Sequence, residues 1–171
     1  YNLKLEKTES IPATRGNIYD RNGNLLAYNE LVYAVTIQDN GTYSSKTEKS
    51  ESLNTEIAQI ISKLEGNGDK IDNDFGIYID SSGNYQFLYT SDTLIQRFRA
   101  DVFGKANIDD LAYNEKLGFD EATATPTQIV NYLQGSRVYN ISEEYGKKLR
   151  YEIMVVRYNM GQNSYQKYIS T

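Results

Sequence analysis

The amino-acid sequence predicts an α+β fold, with short hairpins and amphipathic helices mixed and no strict βαβ alternation. Three observations carry that expectation. Apolar residues recur at helical spacing over 52–64 and again beyond Ser142. Two turn signals, Asn22-Gly23 and Ser81-Ser82-Gly83-Asn84, each separate short β-prone runs. No stretch repeats internally, so the chain is not an array of equivalent units.

Residues 1–13 alternate weakly and read as an edge strand leading to Ile11 and Pro12, because Pro12 cannot donate to a central ladder. Residues 14–38 read as a tight hairpin feeding a longer strand. Asn22 and Gly23 both tolerate positive φ. Asp20 can hydrogen-bond forward onto the turn backbone, and Ile18 and Tyr19 face Leu25 and Leu26 across it. Leu31, Tyr33, Val35 and Ile37 then alternate with Val32, Ala34 and Thr36, a strand apolar on both faces. Asp39, Asn40 and Gly41 turn the chain, and the polar run 43–50 reads as an exposed connector.

Over 52–64, Leu53, Ile57, Ile60, Ile61 and Leu64 share one helical stripe. Gly66, Asn67 and Gly68 end it, with Gly supplying a left-handed cap. A second hairpin spans 75–90, turning at 81–84. Ser91 or Asp92 caps a short helix whose apolar face is Leu94, Ile95, Phe98 and Val102. Residues 107–117 read as a further helical piece. Thr125, Pro126 and Gln128 give a capping box with Pro at the first helical position, so a helix runs to about Leu133. The last helix is expected from Ser142, where Glu143 and Glu144 suit an N-terminus, with Tyr145, Leu149, Ile153, Val156 and Met160 as its stripe.

A chain of 171 residues fits one domain, which at this size buries roughly two thirds of its unfolded surface. Hydrophobic content is 39%, but sixteen Tyr and five Phe add bulky apolar area. The net charge of −5 argues against a nucleic-acid partner, which needs a basic face. Lysines and acids are interspersed, so no polybasic tract addresses an anionic membrane. No run is apolar enough for a membrane span or signal peptide, and a chain opening on Tyr1 reads as a processed or excised piece, which does not exclude an anchor upstream in a parent. The absence of His and Cys removes the usual proton shuttle, the thiolate nucleophile and the commonest metal ligands. Neither a cofactor nor a metal is expected.

One block is far more specific than a turn. Arg15, Gly16, Ile18, Asp20, Arg21, Asn22, Gly23, Leu26 and Ala27 match RGxIxDRNGxxLA, nine fixed positions in thirteen without a gap. The block resembles the first motif of the N-terminal, non-catalytic module of class B penicillin-binding proteins. The order of elements is also similar to that module, in which the motif hairpin lies in an elongated pedestal and a head of helices and a small hairpin is inserted. The resemblance implies pedestal strands over 1–42, a connector over 43–50, and an α+β head over 51–171 that returns toward the pedestal. It implies a parent anchored in the membrane by an N-terminal helix, a transpeptidase that cross-links peptidoglycan outside the cytoplasmic membrane. The implied partners are the parent's own transpeptidase domain, against which the motif packs, and a polytopic glycan polymerase of the SEDS type. In that setting Arg15 and Arg21 belong to the coupling element, whereas the plain structural role is a brace in which Arg15 forks onto a carboxylate. The sequence departs from the family in lacking the later pedestal motif RxYPxG. Arg137-Val138-Tyr139-Asn140 and Arg157-Tyr158-Asn159 only echo it, so the pedestal is expected to be incomplete.

Penicillin-reactive chemistry needs S-x-x-K, S-x-N and K-T-G together. Ser164-Tyr165-Gln166-Lys167 and Ser52-Leu53-Asn54 fit the first two, which are short patterns expected by chance, and no K-T-G is present. Asp20, Asn22 and Asn24 have EF-hand spacing, but Leu25 and Leu31 stand where the loop needs Gly and Glu, and Asp69, Asp72 and Asp74 are too irregular. Two other classes stay open. A carboxylate-based cell-wall hydrolase would converge Asp109-Asp110 and Asp120-Glu121 in a Tyr-lined cleft. A surface adhesin or ligand-binding module would show a large exposed apolar or Tyr-rich patch.

Overall fold

The computed structural model describes residues 16–28, 39, 41–71 and 73–169, with the side chains of 162–169 excepted. The chain divides into two compact units, Tyr1–Ile37 and Gln38–Thr171. The edge strand expected over 1–13 and the strand expected through Leu31, Tyr33, Val35 and Ile37 lie outside the described residues.

In the first unit, β1 (Ile18–Tyr19) and β2 (Leu25–Ala27) form an antiparallel hairpin. The second unit contains α1 (Lys46–Gly66), β3 (Ile77–Ile79), β4 (Tyr85–Phe87) and α2 (Asp92–Val102). A 3₁₀ turn at Ile108–Asp110, β5 (Tyr113–Asn114), β6 (Phe119–Asp120), a 3₁₀ turn at Glu121–Thr123, α3 (Pro126–Gln134) and α4 (Lys147–Ile169) follow. Among the described residues every sheet is a two-stranded antiparallel hairpin, so the fold class is α+β with short hairpins.

Helix α1 starts at Lys46, within the run expected to be a connector, and not at Ser52. The reason is a cap. The Ser45 hydroxyl accepts from Glu48 N at 3.1 Å, and the Glu48 carboxylate accepts from Ser44 N at 2.7 Å. These bonds satisfy amides that a helix start leaves without partners. At the other end Gly68 takes φ +84 and Asp69 N donates to Leu64 O at 3.0 Å, so the left-handed cap falls where the glycines indicate. Leu53, Asn54, Ile57, Ala58 and Ile61 are buried, while Ile60 and Leu64 are half-buried.

The second hairpin pairs Ile77 with Phe87, Tyr78 with Gln86 and Ile79 with Tyr85. Its turn is locked by Asp80, whose carboxylate accepts from Ser82 N at 2.9 Å and Asn84 N at 2.8 Å. Gly83 (φ +82) donates from its N–H to Asp80 O at 2.9 Å. The hairpin's inner face packs into an aromatic core. Phe75 meets Phe98 at 5.2 Å and Tyr158 at 5.0 Å, both edge-on, and Tyr85 meets Tyr151 at 6.0 Å. The Tyr151 hydroxyl donates to Ile77 O and accepts from Asn73 Nδ2 at 2.9 Å, tying α4 to β3.

The helical piece expected over 107–117 is not there. Asn107 and Asp110 close a capping box on a single 3₁₀ turn, and the β5–β6 hairpin follows. Asn114 O accepts from Leu117 N at 3.0 Å and Gly118 N at 2.8 Å, with Gly118 at φ +76. Asp and Asn side chains that bond nearby backbone, and a left-handed glycine, defeat helical propagation here. Ser91 stands at the N-cap position of α2 without a side-chain cap bond, Leu94 is 52% exposed, and only Phe98, Ala100 and Val102 are buried. Arg99 on α2 donates to Ala122 O at 2.7 Å and Ala124 O at 2.8 Å, which anchors the second 3₁₀ turn.

Helix α3 has the capping box and N-terminal Pro that the sequence indicates. Helix α4 begins at Lys147, five residues after Ser142, whose hydroxyl instead accepts from Glu144 N at 3.2 Å in a turn. Its buried residues are Tyr151, Ile153, Met154 and Val155, so of the expected stripe only Ile153 is fully inside. α4 packs against both α1 and α3, and a helix covered on two sides buries a wide arc instead of one stripe.

Candidate domain-coupling hairpin

Residues 16–28 carry every motif position except Arg15, which lies outside the described residues. The turn is organised by Asp20. Its Oδ1 accepts from Asn22 N and Asn24 N, both at 2.8 Å, and its Oδ2 from Asn24 Nδ2 at 2.7 Å. The backbone adds two bonds, Gly23 N to Asp20 O at 3.0 Å and Asp20 N to Asn24 O at 2.9 Å. The Asn24 side-chain amide, and after it the backbone N–H groups, hold the Asp20 carboxyl below the usual carboxylate range. Of the Asn-Gly pair only Gly23 takes positive φ, at +82. The turn is therefore a right-handed bend closed by one left-handed glycine, not two left-handed residues in a row.

The register departs from the simple facing of Ile18 and Tyr19 with Leu25 and Leu26. Ile18 pairs with Ala27 and Tyr19 with Leu25, which leaves Leu26 as the extra residue of a bulge. A bulge bends its strand and re-aims the inserted side chain. The result is an apolar hairpin in water: Leu26 is 66% exposed, Ile18 60%, and Tyr19 and Leu25 are exposed with them. Arg21 is exposed and makes no hydrogen bond or ion pair among the described residues. Asn22 and Gly16 are exposed as well.

The other sequence candidates are placed in structural roles. Asn54, from the S-x-N match, is buried, with Nδ2 donating to Tyr139 O at 2.9 Å and Asn140 O at 3.1 Å. Its Oδ1 accepts from Arg157 at 2.7 Å, and the Arg157 guanidinium lies 5.2 Å from the Tyr139 ring centre. Burial pushes the Tyr139 hydroxyl up to about 12. The side chain of Ser164 is outside the described residues. Asp110 closes a cap and Asp120 accepts from Ala122 N at 2.8 Å. Glu121, 3% exposed, pairs with Lys105 at 3.0 Å and accepts from Asn114 Nδ2 at 2.8 Å. Burial works to raise its carboxyl, but Asn114 and Lys105 together outweigh burial and hold it low. Among the described residues no group of three or more acids could hold a metal, and no helix is long and apolar enough to cross a membrane.

The Asn54–Arg157–Tyr139 knot was not anticipated from the sequence. Its signal was a polar residue on an apolar stripe, Asn54, and a cation directly after Met154, Val155 and Val156.

The hairpin thus combines a turn that satisfies its own polar groups with exposed apolar side chains at Ile18, Leu25 and Leu26. The chain belongs to the penicillin-binding protein dimerisation domain family, which it matches over residues 10–169. It is thus part of the non-catalytic region of a penicillin-binding protein. Comparisons with curated proteins and with solved structures gave no match.

Proposed function

We propose that the chain is the scaffold of a membrane-anchored class B transpeptidase acting in peptidoglycan synthesis, with the motif hairpin as its coupling element. Residues 1–42 supply pedestal strands, and the helical unit is the head. The observation that carries this reading is the bulge that puts Leu26, a motif residue, 66% into solvent beside Ile18. Burying such side chains against a second surface yields about 1.5–3 kcal/mol each, and the Asp20 turn holds them ready without further ordering. The surface they meet is the parent's own transpeptidase domain, outside the cytoplasmic membrane. A SEDS-type glycan polymerase is a second partner of the assembled pedestal. Arg21, exposed within the turn, and Arg15 are the motif's cations and serve as donors for carboxylates across that junction.

The test uses the full-length parent. Leu26→Asp, Arg15→Ala and Asp20→Ala are each expected to lower cross-linking in vivo at matched protein level more than they lower the stability of this chain. Unchanged cross-linking sinks the coupling role, and a folding loss as large as the activity loss leaves only a brace. Membranes labelled with a fluorescent penicillin and captured with an antibody to this chain should yield a labelled band much larger than 171 residues.

A further inference from the structure

The face of the second unit between β4, α2 and α4 carries a groove that the hairpin's role leaves unused. Leu94, Arg97, Phe98 and Asp101 line it from α2, at spacings that put them on one side of that helix. Tyr89 and Gly76 line it from the hairpin side. The floor is fixed by glycine: a Cβ at Gly76 would lie 2.7 Å from both the Phe98 and the Tyr89 rings, so the rings close directly over the backbone. The volume is about 190 Å³. Small-molecule sites run to roughly 300–1,000 Å³, so this one holds a single large side chain and not a cofactor.

Its chemistry is apolar inside, with two acids, Asp74 and Asp101, and one cation, Arg97, at the rim. Leu94 stands on the apolar spacing of α2 yet is 52% exposed, a core-type residue facing the groove's mouth instead of the interior. Asp74 is exposed and accepts from Asn159 Nδ2 at 3.0 Å. Asp101 meets Arg97 at 3.5 Å with both side chains in water, a contact that another cation can displace. The chain as a whole carries a net charge of −5.

We propose that this groove docks a loop or helix of a partner protein, which inserts one Leu- or Phe-sized side chain beside Tyr89, Leu94 and Phe98. The same segment lays a flanking Lys or Arg on Asp74 and Asp101. Apolar walls provide the anchor, and the two carboxylates select its neighbours.

Twelve-residue peptides test this on the full chain labelled with ¹⁵N. The first has a central Phe flanked by lysines, the second the same Phe flanked by glutamates, and the third Ala in place of Phe. The lysine–Phe peptide should shift the amides of Tyr89, Leu94, Phe98 and Asp101 saturably. Losing the Phe should weaken it by about tenfold or more. The glutamate peptide, or the Asp74→Asn/Asp101→Asn variant, should bind about fivefold weaker or worse. No shift at millimolar peptide overturns the proposal, as do shifts confined to other faces or equal binding of the glutamate peptide. Self-association of the free chain that Leu94→Ala abolishes would make a second copy the occupant and also overturn it. None of these readouts involves the motif hairpin, so a failure here leaves the coupling role standing, and the reverse.

Discussion

The Asp20 hairpin and the Asp80 hairpin share a turn down to individual hydrogen bonds. In each, an Asp carboxylate accepts from the backbone N–H groups two and four residues on. In each, a glycine at φ +82 donates back to the Asp carbonyl. The strands beyond the turn differ. Ile77, three residues before its Asp, is wholly buried and tied to Tyr151, whereas Ile18 and Tyr19, the two residues before theirs, are 60% and 56% exposed. A turn that satisfies its own polar groups is indifferent to its surroundings. What a hairpin does is decided by what its flanking side chains meet, and those of the first hairpin are exposed.

Substitutions can break this comparison. The largest effect is expected from Ile77→Ala, which removes a fully buried side chain and should cost about 2–5 kcal/mol in urea unfolding. Ile18→Ala should stay within about 0.5 kcal/mol in the same assay; an equal loss at both sites would mean that the first hairpin is core. Tyr151→Phe keeps the ring but leaves Ile77 O without its donor, at an expected cost of about 1–3 kcal/mol. Gly83→Ala forces a side chain into the left-handed region and should destabilise by about 1–2 kcal/mol. Gly23→Ala carries the same local strain, to be read as lost amide protection in residues 18–27.

The smallest effect is electrostatic. Asp20 and Asp80 are both held below the usual carboxylate range, Asp20 chiefly by the Asn24 side chain and Asp80 chiefly by the Asn84 backbone N–H. A folded-state value below the unfolded one gives stabilisation that is complete above the unfolded value and is lost as pH falls through the folded one. The amides of Asn22, Asn24, Ser82 and Asn84 should therefore move together at pH below ordinary carboxylate titration. Separate midpoints would show that the two turns are less alike than their bonds.

What the sequence discloses is the chemistry that acts over a few residues. Asp20 and Gly23 announce one turn, Gly83 the other, and Thr125, Pro126 and Gln128 the start of α3. The start of α1 was hidden because Ser45 and Glu48 sit in a polar run that looks like linker, although their spacing is that of a cap. Residues 107–117 read as a helical piece, but Asn114 and Gly118 settle the matter in favour of a hairpin. The bulge at Leu26 depends on cross-strand register, which alternation alone does not encode. The wide burial of α4 depends on two helices distant in sequence. Arg15, the first motif residue, falls outside the described residues.

The partners of α1 come late in the chain. Asn54 is bonded to Arg157, 103 residues on, Lys46 to Arg137, 91 residues on, and Glu65 to Lys148, 83 residues on. Synthesis proceeds at about 5–20 residues per second, so the first helix leaves the ribosome roughly 5–20 s before the last can close on it. Throughout that interval the stripe of Leu53, Ile57 and Ile61 lacks α4, the helix that packs on α1. Closing such long loops before their contacts form also slows folding. The earliest-made helix of this unit is among the last to be secured, and its apolar face is where a holding chaperone has most to protect.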